Sequence, residues 1–481
     1  MSGTITINSN DLLNAVYPQL KSQITKEPEV ARQPYSYIIY TDGTKYYAKN
    51  GATGQIDFSG TDASTVIQNS INQLGTNGGK IFVKSGRYTI TSTITLQPAI
   101  DLEFERNRVR IDCNVSPTFN VTASNPIHFI KISGGYFGSS KSGINIFYIT
   151  GQGNFILEDM MFYGDYSTQR NILPIRIVVY NNYFHVKISN IHAYSKYFIR
   201  IEKDPTYPVP RQSVMINNVT WYNDFTNGIM IDIYTNSYGL YNISASNIYG
   251  YYTGTGISMT TENTGFIYFT RFNNVFLQTN KGIYINASGG EVADAFFSNV
   301  SLYPQGANSY GFYATGKIHS IEADQLSIQF PSDSGVTGIA ILPTEQNYTR
   351  GGHFIFSNIR LYDVASNQYS IVTNSNVHDS VFAGSYLYLE YAQIQGTNVR
   401  TISPFSVRTG KASFSGDGST TQFKIAHGLS LTPSKILVTP GSNDAKGNFY
   451  ITADNNYIYI NYATAPPSGS NNVILYWYAE I

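Results

Sequence analysis

Two carboxylates and two arginines recur in one short motif, which reads Gly, apolar, any residue, apolar, any residue. Glu202 and Asp232 occupy the last position of consecutive copies, and Arg176 and Arg200 occupy the third. Copies that stack as neighbouring β-strands lie about 4.8 Å apart, which would make the carboxylates neighbours. One pKa of such a pair is raised, and retaining glycosidases hold their carboxyl groups roughly 5 Å apart. The motif therefore predicts Glu202 and Asp232 as a catalytic pair acting on a sugar.

A second interpretation of these four residues is structural. Arg176 and Arg200 would neutralise the carboxylates and form a surface ion-pair network with them, and this is the interpretation that we favour on the sequence. The catalytic placement assumes one register for all copies, and a shift of one residue turns a side chain to the other face of its strand. Catalysis, sugar binding and an ion-pair network therefore stay open for this group.

Outward-facing aromatic residues are better indicators of function than these carboxylates. The alignment of the repeats places Tyr284 and Tyr313 in one column, and a second column contains Tyr136, Tyr249, Phe276 and Tyr386. Tyrosine rings stack on sugar rings and are also common at protein interfaces. An interface between subunits is therefore one interpretation of the columns, and an ordinary exposed surface is another. The third interpretation is glycan contact, which we predict for Arg176, Arg200, Tyr249, Tyr284 and Tyr313.

Two motifs repeat along most of the chain with one period. Copies of the Gly motif begin at residues 143, 174, 198, 228, 256, 282, 311 and 338. The other motif reads apolar, small polar, Asn, apolar, and its central residues are Gly134, Asp159, Asn190, Asn218, Asn247, Asn274, Asn299, Gln325, Asn358 and Gly384. Different motifs that stay in phase indicate a solenoid whose turn contains at least two short strands.

The repeats predict an all-β fold, a parallel β-helix. Strands of three to five residues are too short to be stable alone. Stacked turns pair the backbone groups of such strands and bury columns of Ile, Val and Phe. An Asn at the same position of each turn would hydrogen-bond the next Asn and form a ladder that satisfies buried turn carbonyls.

The amino-terminal region has a different pattern. Residues 1–33 are predicted to be an attachment segment. Residues 34–78 indicate a β-hairpin that turns at Asp42-Gly43, followed by one helix that Thr61 or Asp62 caps and Gly75 ends. This helix and hairpin would precede the solenoid.

The carboxy-terminal region also departs from the period. The solenoid is predicted over residues 79–404, and residues 401–411 are expected to form a linker. Short alternating strands separated by Gly, Pro and Asn turns follow over residues 405–481. This pattern predicts a small antiparallel β-sandwich.

The composition excludes several classes of function. The chain has 481 residues, 31 basic and 31 acidic side chains, and so a formal net charge of zero, which argues against a nucleic-acid partner. A single cysteine, Cys113, and the lack of a phosphate loop, zinc motif or nucleophile elbow predict no metal and no cofactor. The sequence contains no run of 18 apolar residues, so we expect no membrane insertion. The first residues lack the basic start and apolar stretch of a secretory signal.

Residues 62–68, 78–83 and 85–90 resemble the first turn and capping helix of pectate-lyase-like proteins. This resemblance implies a right-handed parallel β-helix whose open end is covered by the helix. The superfamily includes polysaccharide lyases, glycoside hydrolases and viral tailspikes or adhesins, so the resemblance leaves the activity open.

Residues 414–423, 427–429 and 477–480 resemble a small β domain found at the end of viral tail-fibre and tailspike proteins. The segment from Tyr37 to Leu74 and the Tyr/Asn-rich composition also resemble β-helix proteins of archaeal viruses. These resemblances imply a homotrimeric tailspike or fibre on the virion surface that attaches to host-surface glycans or glycoproteins and docks to tail or capsid proteins through its amino terminus. A tailspike polysaccharide depolymerase, either lyase or hydrolase, is the alternative, and a spike without a ligand is a third class.

Overall fold

The chain folds almost entirely into β-structure. A computed structural model describes residues 34–481 except 107, 165–170, 180–182, 207–211, 224–226, 345–353, 388–390, 403–406 and 430–431. The predicted attachment segment, residues 1–33, lies outside the described residues. The described part contains helix α1 (Ala63–Leu74), followed by a 3₁₀ turn (Gly75–Asn77).

The strands fall into three groups along the chain. Around the helix lie β1 (Tyr37–Thr41), β2 (Tyr46–Asn50) and β3 (Ile56–Gly60). The solenoid contains β4 (Gly79–Val83), β5 (Gly86–Ile90), β6 (Ile94–Leu96), β7 (Ile100–Phe104), β8 (Val109–Cys113), β9 (Phe119–Ser133), β10 (Tyr136–Ser139), β11 (Ile144–Glu158), β12 (Met161–Gly164), β13 (Ile172–Val179), β14 (Phe184–Tyr194), β15 (Tyr197–Lys203), β16 (Gln212–Asn223), β17 (Ile229–Thr235), β18 (Gly239–Tyr241), β19 (Ile243–Tyr252), β20 (Thr255–Thr261), β21 (Phe266–Gln278), β22 (Lys281–Leu302), β23 (Tyr310–Gln329), β24 (Thr337–Pro343), β25 (Phe354–Tyr362), β26 (Tyr369–Thr373), β27 (Val381–Tyr386) and β28 (Arg400–Ile402). The carboxy-terminal sheets contain β29 (Val407–Gly416), β30 (Gln422–Ala426), β31 (Lys435–Pro440), β32 (Phe449–Ala453), β33 (Tyr457–Tyr462) and β34 (Gly469–Glu480).

Successive turns of the solenoid pair in parallel on three faces. Face 1 contains the part of each turn before the ladder Asn, as in β14, β16 and β19, and face 2 contains the part after it. Face 3 contains the strands of the Gly motif, as in β15, β17 and β20. The predicted parallel β-helix is confirmed, with three strand segments per turn where the repeats indicated at least two.

The ladder residues make the corner between faces 1 and 2. Asn190, Asn218, Asn247, Asn274 and Asn299 all have φ between 50° and 56°, in the left-handed region that Asn tolerates better than most residues. One such residue bends the chain without interrupting its parallel pairing. Strands therefore continue around corners, and β22 runs for 22 residues where the repeats predicted three to five.

The predicted asparagine ladder exists, but on the outside of the solenoid. Asn218 Nδ2 donates to Asn190 Oδ1 at 2.8 Å, and Asn299 Nδ2 donates to Asn274 Oδ1 at 3.1 Å. The side chains of Asn190, Asn218 and Asn299 are exposed, so the expectation that the ladder satisfies buried carbonyls is wrong. The left-handed backbone conformation favours Asn at this corner. The side-chain amides of successive turns then lie close enough to hydrogen-bond each other.

Stacked apolar columns fill the interior. Phe272 and Phe297, on successive turns, stack with ring centroids 5.2 Å apart and planes 8° apart. Trp221 is fully buried, and its indole Nε1 donates to the carbonyl of Ser195 at 2.8 Å. Each column is continuous because the pleat sends alternate residues of every turn inward.

Helix α1 covers the open end of the solenoid, as predicted. Asp62 caps it by accepting from the amides of Ser64 and Thr65, and Gly75, with φ of 54°, ends it. Gln68 uses both side-chain polar atoms on the first strand of face 3: Nε2 donates to the Thr95 carbonyl and Oε1 accepts from the Thr95 amide. The helix thus satisfies a strand edge that would otherwise pair with another chain.

The predicted hairpin and the predicted sandwich are both present. β1 and β2 pair antiparallel around Asp42-Gly43, and β1 also extends face 1 by pairing with β4. At the other end, the sheets β29-β34-β31 and β30-β33-β32 pack around one apolar core. The predicted linker at residues 401–411 is wrong over its described residues, because Ile402 ends β28 and Val407 begins β29, which pairs with β34; residues 403–406 lie outside the described residues.

Candidate functional site

The outward side chains of face 3 form one column parallel to the axis, which we call the face-3 column. Backbone pairing through consecutive turns connects Tyr148, Arg176, Arg200, Asp232, Ser258, Tyr284 and Tyr313. Five steps of about 4.8 Å separate Arg176 from Tyr313, a distance of roughly 24 Å. The column brings together Asp232 and four of the five residues for which the sequence predicts glycan contact.

The predicted stacking of Glu202 on Asp232 is wrong. Glu202 pairs with Tyr234, and Asp232 pairs with Arg200. The two carboxylates therefore lie on adjacent turns but in different columns, two residues out of register. Glu202 and Asp232 therefore do not face each other directly.

A glycine outside the repeat position explains the error. Ile199, Ile231 and Ile257 pair in register through consecutive turns, so Met230 and not Gly228 occupies the motif position of Gly256. Gly228 lies two residues earlier, beside Gly254, and the amide of Thr255 donates to its carbonyl at 2.8 Å. The segment that begins at Gly228 thus looks like a copy of the motif but is two residues out of register.

An ion-pair network holds the charged half of the column. Arg176 Nε donates to Glu202 Oε1 at 2.7 Å, and Arg200 Nε donates to Glu202 Oε2 at 2.7 Å. Arg200 Nη1 also donates to Asp232 Oδ2 at 3.0 Å. The side chain of Arg200 is 36% exposed, against 13% for Glu202 and 14% for Asp232. The carboxylates thus lie beneath the arginines, which face the solvent.

The pKa of Asp232 is raised, as the sequence predicts, but for a different main reason. Burial makes the largest contribution by disfavouring the charged carboxylate, and the Glu202 charge adds a smaller one. Arg200 and a hydrogen bond from Ser258 oppose the rise. The cation–π contact of Arg200 with the Tyr234 ring, 4.9 Å from the centroid, keeps the guanidinium over this carboxylate.

A groove opens beside Arg200 and Asp232 at the start of the face-3 strands. Its cavity volume is about 360 Å³, and its walls combine apolar side chains with amides and the two charged groups. The lining residues are Gly143, Asn145, Asn171, Leu173, Tyr197, Ile199, Arg200, Asn227, Ile229 and Asp232. They come from four successive turns, so the solenoid assembles this groove from residues far apart in the chain.

Tyr284 and Tyr313 continue the column, and their rings are already partnered. The rings stack with centroids 5.3 Å apart and planes 12° apart. Lys281 Nζ lies 4.4 Å from the centroid of the Tyr284 ring, and Tyr310 meets Tyr313 edge-on at 4.8 Å. The face-3 column therefore ends in an aromatic stack supported by a cation.

Tyr249 lies elsewhere, on face 2. It is in register with Phe276, as predicted, and is separated from the face-3 column by a corner of the solenoid. Sequence reasoning missed the tyrosine stack beside it: the ring of Tyr222 stacks on Tyr194 at 4.6 Å and on Tyr251 at 5.1 Å. The signal was present, since each of these tyrosines follows a ladder Asn by four residues.

Within the part of the chain that the structure describes, helix length and apolar character are insufficient for a membrane crossing. Among the same residues, His, Cys, Asp and Glu side chains do not gather in threes around a position that could hold a metal ion.

Several solved structures of phage tailspike proteins are similar to this chain over most of its length. The Dettilon tailspike protein (gp208) has 13% identity and a TM-score of 0.42, and the match covers 92% of this chain and 94% of that one. The tailspike protein gp49 of Pseudomonas phage LKA1 has 10% identity and a TM-score of 0.49, with coverage of 86% and 92%. A mutant tailspike protein of E. coli bacteriophage HK620 in complex with a pentasaccharide has 12% identity and a TM-score of 0.47, with coverage of 87% and 90%. No protein-family model and no curated protein sequence matches the chain.

Proposed function

We propose that this protein is a receptor-binding tailspike or fibre of a virion, and that its solenoid attaches to a host-surface glycan. The observation that carries the binding role is the groove beside Arg200 and Asp232. Ligand sites combine an apolar lining with a few convergent polar groups. Leu173 and Ile229 supply apolar surface here, while Asn145, Asn227 and the ion pair supply hydrogen-bonding groups.

The chemistry of this groove suits a sugar. A sugar ring presents apolar C–H faces and hydroxyl groups that both donate and accept hydrogen bonds. Tyr197 offers a partly exposed ring in the groove, and Arg200 offers a guanidinium that two carboxylates hold in one orientation. A preoriented polar group loses little conformational entropy when a ligand binds.

The stacked tyrosines have a different part in this proposal. A sugar stacks on an aromatic face, and the mutually stacked rings of Tyr284 and Tyr313 cover one face of each other. Their hydroxyl groups and ring edges would extend the surface along the axis from the groove. We therefore place the main contact at the groove, with Arg176, Tyr284 and Tyr313 as flanking contacts.

A panel of immobilised, purified microbial cell-surface polysaccharides tests the binding role. The wild-type chain should bind at least one of them, and Arg200→Ala should weaken that binding by about 10- to 100-fold, the range for losing a hydrogen bond to a charged group. Arg271→Ala is the matched control, because Arg271 is also exposed and also packs over an aromatic ring, Phe296, but on face 1. Failure to bind any polysaccharide, or an equal loss in both variants, would contradict the proposal.

Polysaccharide cleavage is the second candidate function, and the raised pKa of Asp232 at the groove favours it. A general acid must keep its proton near the working pH, and burial acts in that direction. Glu202, paired with two arginines, would be the second carboxylate. Release of reducing ends or unsaturated sugars that is lost in Asp232→Asn and Glu202→Gln would support cleavage, whereas binding without release would leave attachment alone.

The assembly of the virion completes the proposal. Residues 1–33 would dock to tail or capsid proteins, and three chains would associate, as the tail-fibre resemblance of the carboxy-terminal sandwich implies. The tyrosine stack on face 2 supports a subunit interface, because aromatic side chains are enriched there and Tyr252 beside the stack is 53% exposed. Immunogold labelling of purified virions with an antibody to this chain should decorate the tail or spike, and unlabelled particles would contradict this placement.

A further inference from the structure

A basic cluster lies on the first turns of face 2, away from the groove on face 3. Arg87 and Arg110 are backbone partners on adjacent turns, and Asp112 lies beside them. Asp112 Oδ1 accepts from Arg110 Nε at 3.1 Å, and Asp112 Oδ2 accepts from Arg87 Nε. One carboxylate thus holds both guanidinium groups by their inner nitrogen atoms.

This arrangement directs the outer ends of both guanidinium groups towards solvent. Asp112 is 14% exposed, whereas Arg87 is 67% exposed and Arg110 is 48% exposed. Lys141 adds a third cation, because its Nζ donates to the carbonyl of Asn114 at 3.0 Å. Three cations against one carboxylate give the cluster a formal charge of +2 on a chain whose net charge is zero.

Tyr163 forms the wall of the cluster. The Arg110 guanidinium lies 5.1 Å from the centroid of its ring. The ring fits at that position because Gly138 has no side chain: a methyl group there would lie 2.5 Å from the ring of Tyr163. Within the described residues, the buried hydroxyl of Tyr163 has no hydrogen-bond partner.

A cavity of about 170 Å³ lies within the cluster. Its lining residues are Arg87, Thr89, Arg110, Asp112, Asn114, Ser139, Ser140 and Tyr163. At about 30 Å³ for each water molecule in the liquid, the cavity has room for an acidic group and part of the ring that bears it. Arginine pairs recognise carboxylate, sulfate and phosphate groups through planar arrays of donors. A purely structural ion pair would need neither the second arginine nor the cavity.

We propose that this cluster is an anion site that binds the acidic substituent of a polysaccharide, namely a carboxylate, sulfate or phosphate group. The identification of the anion as part of a glycan rests on the proposed attachment function, whereas anion binding itself does not. The glycan would then contact the solenoid on two faces, and its charge would determine which polysaccharides bind.

Titration calorimetry of the full chain with sodium sulfate, inorganic phosphate and glucuronate tests the anion site, with glucose as the neutral control. The wild type should bind one or more of these anions and not glucose. Arg110→Gln and Arg87→Gln should each weaken anion binding at least 10-fold, and Arg110→Lys should give an intermediate loss because it keeps the charge without the planar donors. Arg271→Gln should leave anion binding unchanged. Urea unfolding midpoints check that each variant is folded.

A second titration separates the anion site from the attachment function. An acidic oligosaccharide built from glucuronate should bind more tightly than a neutral one of the same length, and Arg110→Gln should abolish the difference. Anion binding without any preference for the acidic oligosaccharide would overturn the glycan assignment. Absence of sulfate, phosphate and glucuronate binding by the folded wild type would overturn the site itself, even if a neutral polysaccharide binds at Arg200.

Discussion

At the scale of single residues, Arg200 determines the shape of the charged surface on face 3. It contacts both carboxylates and packs over Tyr234. Loss of an exposed ion pair costs roughly 0–1 kcal/mol, and loss of one partner of a buried pair costs about 3–5 kcal/mol. Because Arg200 is 36% exposed and Asp232 is 14% exposed, we expect Arg200→Ala to lower the free energy of unfolding by about 2 kcal/mol in urea titrations. A loss no larger than that of Arg271→Ala would contradict this role.

The pKa of Asp232 leads to a prediction about pH. Burial raises this pKa above the ordinary value of 3.8, so the folded state disfavours the ionised carboxylate. At pH values above the raised pKa, where Asp232 is ionised, Asp232→Asn should therefore be more stable than the wild type. The difference should shrink as the pH falls through the raised pKa towards 3.8, which urea titrations at several pH values would measure.

Asp324 provides the opposite case. Hydrogen bonds from Ser357 and Asn358 lower its pKa below 3.8, so that its ionised form stabilises the fold above that value. We expect Asp324→Ala to be less stable than the wild type at neutral pH, and the difference to disappear as the pH falls through the lowered pKa. The same pH trend in Asp232→Asn and Asp324→Ala would show that local environment does not determine these titrations.

At the scale of structural elements, the corner between faces 1 and 2 depends on one residue per turn. Asn274 has φ of 53°, donates to Asn247 at 2.6 Å and accepts from Asn299 at 3.1 Å. Asn274→Gly keeps the backbone conformation and loses the hydrogen bonds, each of which contributes about 0.5–1.5 kcal/mol. Asn274→Ala also loses the tolerance for the left-handed conformation, about 1–2 kcal/mol more. Urea titrations should therefore rank Ala below Gly, and the reverse order would show that side-chain bonding alone selects Asn.

The asparagine motif predicted the register of faces 1 and 2 correctly from Gly134 to Asn358, while the Gly motif failed at two copies, those that begin at Gly143 and Gly228. Each ladder Asn has a physical reason to stay in place, because the corner requires its backbone conformation. A glycine also occurs outside the repeat position: Gly228 lies two residues before it, where a methyl group would lie 2.5 Å from the carbonyl oxygen of Lys196. Sequence alone does not distinguish Gly228 from a repeat glycine such as Gly256, and the motif therefore places Asp232 in the column of Glu202.

At the scale of the whole molecule, the periodicity of the two motifs made the parallel β-helix predictable. The charged side chains of face 3 were predictable as individual candidates from their positions in the Gly motif. The groove was not predictable from the residues, because Asn145, Leu173, Tyr197 and Ile229 have no distinctive spacing. They meet only because four turns stack in a particular register. The anion cluster was not predictable either, because its residues also meet only when the turns stack. Tyr163 reaches Arg110 only because Gly138 has no side chain.

The proposed assembly also has a measurable consequence at this scale. Sedimentation equilibrium of the full chain should give a mass three times the 53.4 kDa of one chain. Tyr252→Arg, which places a charge beside the tyrosine stack, should shift the equilibrium towards the single chain, because an unpaired charge is costly inside an interface. A wild-type chain that sediments at 53.4 kDa at all concentrations would contradict the trimer.

Hydroxyl-radical footprinting of the full chain, with and without a polysaccharide to which it binds, tests the central claim most directly. We expect the polysaccharide to protect Leu173, Tyr197 and Ile229 in the groove of face 3. Tyr450 and Tyr476 in the carboxy-terminal sandwich, which are 67% and 52% exposed, should remain as reactive as in the free protein. Protection confined to the sandwich, with the groove residues unchanged, would contradict glycan attachment through the solenoid.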